Sequence, residues 1–282
     1  MAYQTIGVIG CGLMGSGIAQ VSAQSGYRTI VREIDDETIK KGFGRIEASL
    51  SAGVERGKVS LEEKGTTMLN LTGTTKLEDM GECDLIVEAI VENVDAKREV
   101  FTTLETVVRP DTVFSSNTSS LCITELASAT ERPDRFIGLH FFSPVPVMKL
   151  VEVIRGLATS DETYHQVFAF GQTLGKESVT APDRPGFIAN RLLIPYLLDA
   201  IRTFELGIGT IEDIDKTMSL GCGHPMGPFA LLDFVGLDTT YYIANIMYEE
   251  FRDPMYAPPP LLKRLVLAGR HGRKSGHGFY KY

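Results

Sequence analysis

The chain has 282 residues, 43% hydrophobic and 23% charged, with a formal net charge of -8. That length suits one large domain or two modest ones with full cores, and the composition is that of an ordinary soluble globular protein. The acidic balance opposes general attraction to nucleic acid or anionic membrane, the start "MAYQTIGVIGCG" carries no targeting signal, and no apolar run is long enough for a transmembrane helix.

The four cysteines, Cys11, Cys83, Cys122 and Cys222, are widely spaced without a C-x-x-C pair. Neither a metal site nor a disulfide framework is expected from them, and a reducing cytoplasm is the compartment they suit.

In chain order, the first strand signal is "TIGVIG" (5–10), followed by a helix-like stretch from Leu13 to Ser25. Between them lies G-x-G-x-x-G as Gly10, Gly12 and Gly15. At such a strand-to-helix turn Gly10 permits the tight bend, Gly12 lets backbone approach a pyrophosphate, and Gly15 allows helix to pack on strand. The next strand, "TIVREI" (29–34), contains Glu33, near the offset of about 20 residues at which an acidic side chain takes ribose hydroxyls. Glu33 favours NAD; the adjacent Arg32 leaves NADP open.

Residues 40–64 carry six Lys or Arg against four Glu, with Lys41, Arg45 and Ser49 on one face if the segment is helical. Further strands are predicted at "LIVEAI" (85–90), "TVFSSN" (112–117), "RFIGLHFF" (135–142), "KLVEVI" (149–154) and "SVTAPD" (178–183). Helix-length segments between the first four argue for a parallel sheet with crossover connections. After the Pro182, Pro185, Gly186 cluster the periodicity is helical from Phe187 to about Arg270, with a kink expected at Pro195, a rigid connector at "APPP" and a glycine-rich basic tail. The expected class is α/β: a doubly wound, Rossmann-type, mostly parallel sheet over residues 1–184, followed by an all-α domain over 185–282.

Ligands of such sheets bind beyond the carboxyl ends of strands, where Ser119 and His140 fall. A neutral imidazole is a natural acceptor for an alcohol proton. Glu152 lies on the apolar face of "KLVEVI" and needs a partner. His140 serves, a carboxylate on one ring nitrogen freeing the other for a proton; Lys149 and Arg155 are the rival partners.

"GVIGCGLMGSGIA", "LIVEAIVEN", "SSNTSSL", "GLHFFSPVPVMKLVEVI", "DRPGFIANR", "GHPMGPFALLDFVGLD" and "GRKSGHGFYKY" resemble, in order, the blocks of the short-chain L-3-hydroxyacyl-CoA dehydrogenases, with the bacterial 3-hydroxybutyryl-CoA dehydrogenases as the nearest branch. The resemblance implies NAD-dependent interconversion of (S)-3-hydroxyacyl-CoA and 3-ketoacyl-CoA. It puts the catalytic histidine at His140, its glutamate at Glu152, and substrate-holding residues at Ser119 and Asn190. Cofactor positions fall on Gly10, Gly12, Leu13, Met14 and Gly15, on Glu33 in place of the usual aspartate, and on Glu92, Lys97, Asn117 and Ser119. The asparagine of H-F-F-N-P-V-P falls on Ser143, a shorter side chain that departs from the pattern. CoA contacts fall on Ser49, Arg56 and Lys58, together with Ser119 and Asn190. A homodimer through the helical domain is also implied. The competing readings are a dehydrogenase for a longer, dicarboxylic or non-CoA 3-hydroxy acid, and a non-catalytic NAD-binding relative.

Overall fold

The computed structural model describes residues 3–282; Met1 and Ala2, the first residues of the stretch read for a targeting signal, lie outside the described residues. The chain divides into two compact units, Met1–Asp183 and Arg184–Tyr282.

The first unit runs β1 (Thr5–Ile9), α1 (Leu13–Gln24), β2 (Arg28–Arg32), α2 (Asp36–Glu55), α3 (Leu61–Leu69), β3 (Leu71–Thr74), β4 (Leu85–Glu88), α4 (Val94–Glu105), β5 (Val113–Ser116), α5 (Ile123–Ala127), β6 (Phe136–Phe141), β7 (Leu150–Arg155), α6 (Asp161–Thr173) and β8 (Glu177–Pro182). Its eight strands form one sheet in the order β3-β2-β1-β4-β5-β6-β7-β8. Every neighbouring pair is parallel except β6 and β7. The strand order reverses between β1 and β4, and the loops leaving those two strands flank the crevice where open α/β sheets take ligands.

Local chemistry starts the helices where the sequence changes character. Asp35 caps α2 through the Thr38 N–H, Ser60 and Glu63 form a reciprocal capping box on α3, and Asn93 caps α4 through the Ala96 N–H. Ile6, Val8, Val31, Leu85, Val87, Val113, Ile137 and Val153 form the buried sheet core, closed by Ile18 and Ala19 of α1 and Val167 and Phe170 of α6.

Strand β3 is an addition to the predicted elements. Its "LTGT" has little apolar content, and Gly73 is required because a Cβ there would sit 2.5 Å from the Ile39 side chain. An edge strand so short carries almost no period-2 signal.

The second unit holds α7 (Ala189–Glu205), α8 (Ile211–Lys216), α9 (Pro228–Val235), α10 (Leu237–Phe251) and α11 (Pro260–Leu267) around Ile194, Leu197, Leu198, Ile201, Phe229, Leu232 and Met247. Pro195 lies within the uninterrupted span of α7. The "APPP" stretch is more than a connector, because Pro260 opens α11 at the position where a missing N–H costs nothing. The glycine-rich tail is folded: Asp233, 1% exposed, accepts the Phe279 and Tyr280 N–H groups at 2.8 Å each.

Candidate active site

The glycine turn after β1 shows what each glycine does. Gly10 has φ 94°, and a Cβ on it would lie 2.7 Å from the Ala89 carbonyl oxygen of the loop after β4. A Cβ on Gly15 would lie 1.8 Å from the Gly10 carbonyl oxygen, whereas one on Gly12 would meet nothing within 4 Å. Folding therefore demands Gly10 and Gly15, while Gly12 borders open space at the start of α1. No side chain caps that helix, so the first-turn N–H groups around Leu13, Met14 and Gly15 remain for an anion.

Glu33, just past β2, accepts the Cys11 N–H at 2.6 Å with one carboxylate oxygen and the Ile34 N–H at 2.9 Å with the other. Arg45 on α2 donates to the Cys11 carbonyl oxygen at 3.2 Å. The loop is thus gripped on both sides of one residue by opposite charges. Burial first, and then the Glu33 charge, push the Cys11 thiol up to about 11. Arg32 is half-buried with its Nε lacking a hydrogen-bond partner among the described residues. A dinucleotide fits this arrangement: space at Gly12 for the pyrophosphate, N–H groups facing it, and a carboxylate beside the turn for a ribose.

His140 and Glu152 are directly opposite in the antiparallel β6–β7 pair, so their side chains share a face. His140 Nδ1 is 2.7 Å from Glu152 Oε2, and His140 Nε2 is 3.1 Å from Ser119 Oγ. His140 is 5% exposed and Glu152 0%. The carboxylate accepts a proton-bearing Nδ1, leaving the Nε2 lone pair to receive the Ser119 hydroxyl. Of the rival partners for Glu152, Arg155 is committed elsewhere, at 2.6 Å from Asp161.

The intervening "SPVPVM" turn is held by Lys176, whose ammonium donates to the Val145 and Met148 carbonyl oxygens at 2.8 and 2.7 Å. Burial lowers the Lys176 pKa. Nothing in its sequence context, "LGKES", marks that function.

A second buried polar group lies beside Ser119. Glu88, the last residue of β4, accepts from Lys97 Nζ at 2.6 Å, Ser116 Oγ at 2.6 Å and the Ile90 N–H at 2.7 Å. Burial pushes the Glu88 carboxyl above the ordinary carboxylate range, opposed chiefly by the Lys97 charge. Lys97 also lies 3.3 Å from Glu92 Oε2. Glu92 Oε1 accepts from the Ser119 N–H at 2.9 Å, Ser120 Oγ at 3.3 Å and the Thr118 hydroxyl. Lys97 is 1% exposed, its ammonium reaching both Glu88 and Glu92. Asn117 ties β5 to β6, its side-chain oxygen accepting the Phe141 N–H at 2.9 Å. Glu88 and Ser116 are the group's unforeseen members; only their position at strand ends could have signalled them.

Ser143 is exposed in the proline turn. Ser49 is exposed on α2, with Lys41 and Arg45 on its face, and Arg56 and Lys58 are exposed just beyond that helix. Lys41 pairs with Glu37 at 2.6 Å, and Lys64 reaches Glu47 at 3.4 Å. Asn190 is the second residue of α7, in the helical unit.

The profile described as 3-hydroxyacyl-CoA dehydrogenase, NAD binding domain, matches residues 5–184, and that of the 3-hydroxyacyl-CoA dehydrogenase C-terminal domain matches residues 186–282. A 3-hydroxybutyryl-CoA dehydrogenase of Mycobacterium tuberculosis is 50% identical over 283 residues, covering 100% of this chain and 99% of the relative. Among solved structures, M. tuberculosis FadB2 superposes with a TM-score of 0.98 at 49% identity, covering 100% of both chains. The (S)-3-hydroxybutyryl-CoA dehydrogenase PaaH1 of Ralstonia eutropha gives 0.96 at 42% identity, covering 100% of this chain and 99% of that one.

Proposed function

This chain belongs to the 3-hydroxyacyl-CoA dehydrogenase family, and from that premise we propose that it interconverts (S)-3-hydroxybutyryl-CoA and acetoacetyl-CoA, with NAD as cofactor. The observation that carries the reading is the hydrogen-bonded series Ser119, His140, Glu152 at the carboxyl ends of β5 and β6. A damaged series would have favoured a non-catalytic relative.

NAD supplies the hydride acceptor for C3 in oxidation and, when reduced, the donor. Gly10, Gly12, Leu13, Met14 and Gly15 form its pyrophosphate turn and Glu33 its ribose carboxylate. Glu92, Asn117, Ser119 and Ser143 complete its contacts, with Lys97 acting through Glu92. His140 Nε2 takes the 3-hydroxyl proton in oxidation and returns it in reduction. Glu152 keeps the proton on Nδ1 before the transfer and stabilises the imidazolium after it. Ser119, within reach of Nε2, donates a hydrogen bond to a substrate oxygen bound beside the base, a positioning effect already organised in the fold. Asn190 is assigned to substrate, and Ser49, Arg56 and Lys58 to CoA, on family likeness together with the exposure of the last three.

The helical unit exposes Leu192, Leu206, Ile208 and Leu220, between 72% and 85%, which supports a homodimer through that unit. All four cysteines are free, as suits a cytoplasmic enzyme. Among the described residues no helix is long and apolar enough to cross a membrane. The deciding experiment is the initial rate of acetoacetyl-CoA reduction with NADH and with NADPH, followed by a series of longer 3-ketoacyl-CoA esters. The reading requires NADH-dependent turnover that is greatest for the four-carbon ester; a preference for a long or a free acid overturns it.

A further inference from the structure

Three consecutive residues of the loop after β5 converge on one carboxylate oxygen. Glu92 Oε1 takes the Thr118 hydroxyl, the Ser119 N–H and the Ser120 hydroxyl, while Oε2 faces the Lys97 ammonium. Lys97 is anchored at 2.6 Å to Glu88, and Glu88 also holds Ser116, the last residue of β5 before that loop. The loop closes on itself as well, Thr118 Oγ1 accepting the Leu121 N–H at 2.9 Å. Ser119 Oγ lies 3.1 Å from His140 Nε2.

We propose that Glu92 is a positioning residue for the reaction, clamping the backbone of Ser119 so that its hydroxyl meets the catalytic base, with Lys97 and Glu88 fixing Glu92. This deepens the function proposed above and rests on it. Two physical points support the assignment. A serine in a polar loop is ordinarily free to sample several rotamers and backbone states, and a charged acceptor on its own N–H and on both neighbours removes that freedom. All the named partners of Glu92 are donors: one ammonium, one N–H and two hydroxyls. A carboxylate satisfies them with both oxygens, whereas an amide must turn its NH2 either on Lys97 or on the loop, setting donor against donor. The clamp therefore needs charge at position 92 as well as length. Because the same carboxylate is assigned to the cofactor, the serine that orders substrate and the cofactor share one anchor.

Kinetics of Glu92→Gln, Ser119→Ala and the double variant, each at saturating NADH and acetoacetyl-CoA, test this. Glu92→Gln should lower kcat ~10-fold or more, and the loss should persist at saturating NADH, as removal of transition-state positioning requires. In the Ser119→Ala background the same substitution should change kcat by less than ~2-fold, since the group it positions is gone. Full recovery of kcat at saturating NADH, or kcat losses that multiply independently in the double variant, would overturn the proposal and leave Glu92 a cofactor contact alone. Should Glu92→Gln fail to fold, Glu92→Asp, which keeps charge and loses reach, is read by the same two criteria. A wild-type chain without acetoacetyl-CoA turnover overturns the function and this inference together, whereas an active wild type with independent losses overturns this inference only.

Discussion

Replacing Glu152 by Gln tests the base most directly, because the side chain keeps its volume and loses its charge. The carboxylate is 0% exposed and 2.7 Å from His140 Nδ1. With charge centres about 4 Å apart and an effective dielectric of about 20, it favours the transient imidazolium by roughly 4 kcal/mol. At about 1.4 kcal/mol per decade that is close to a thousandfold in rate. An amide oxygen facing Nδ1 still accepts a hydrogen bond, which reduces the loss to about a hundredfold. An NH2 group facing Nδ1 fixes the wrong tautomer and raises it toward ten-thousandfold. The assay is NADH formation from (S)-3-hydroxybutyryl-CoA with NAD at saturation, the direction in which the imidazolium develops, beside a melting curve to establish that the variant is folded. A folded Glu152→Gln protein retaining more than about a tenth of wild-type kcat would refute the electrostatic reasoning.

The glycine turn offers a paired test: Gly12→Ala, whose methyl enters open space, should leave the melting temperature nearly unchanged while raising the KM for NADH. Gly15→Ala, whose Cβ would lie 1.8 Å from a backbone oxygen, should cost about 3 kcal/mol or more in denaturant unfolding. Thiol titration of the native protein should find exposed Cys222 first, with Cys11 and Cys83 reacting only after denaturation, since burial pushes their pKa values up to about 11 and about 12. The unfolded chain releases those protons first, near the ordinary thiol value of about 8.5, so both thiols should lower thermal stability as pH rises from there toward 11 and 12. Arg56→Glu should raise the KM for acetoacetyl-CoA several-fold at low salt and less at high salt; an unchanged KM at low salt removes Arg56 from the CoA site.

Much of the sheet was legible because buried parallel strands are written as short β-branched runs, and "TIGVI", "LIVE" and "VFSS" carry that signature. β3 was not, since its four residues include a glycine selected by the crowding of Ile39 rather than by strand propensity. The antiparallel reversal at β6–β7 is a structural finding that fits a connection too short for a crossover helix, with the prolines of "SPVPVM" in its turn. What the prolines did not reveal is the Lys176 ammonium that fastens the turn from the residue before β8, a long-range contact with no local pattern.

The same distinction separates the two halves of the candidate site. His140 and Glu152 could be offered as a pair from sequence because strand alternation has a fixed period, but Lys149 and Arg155 stayed open as partners until the register set His140 opposite Glu152. The clamp on Ser119 obeys no such period. Glu92 comes from the loop after β4, Lys97 from the first turns of α4 and Glu88 from a strand end, so their meeting depends on β4 and β5 being neighbours in space. Sequence marked Glu92 and Lys97 only through family likeness, as cofactor residues. The hydrogen bonds add the missing direction, from Glu92 through the Ser119 backbone to the base. A strand order is therefore enough to locate this site, but the orientation of its serine is decided by a charge network that only the folded chain assembles.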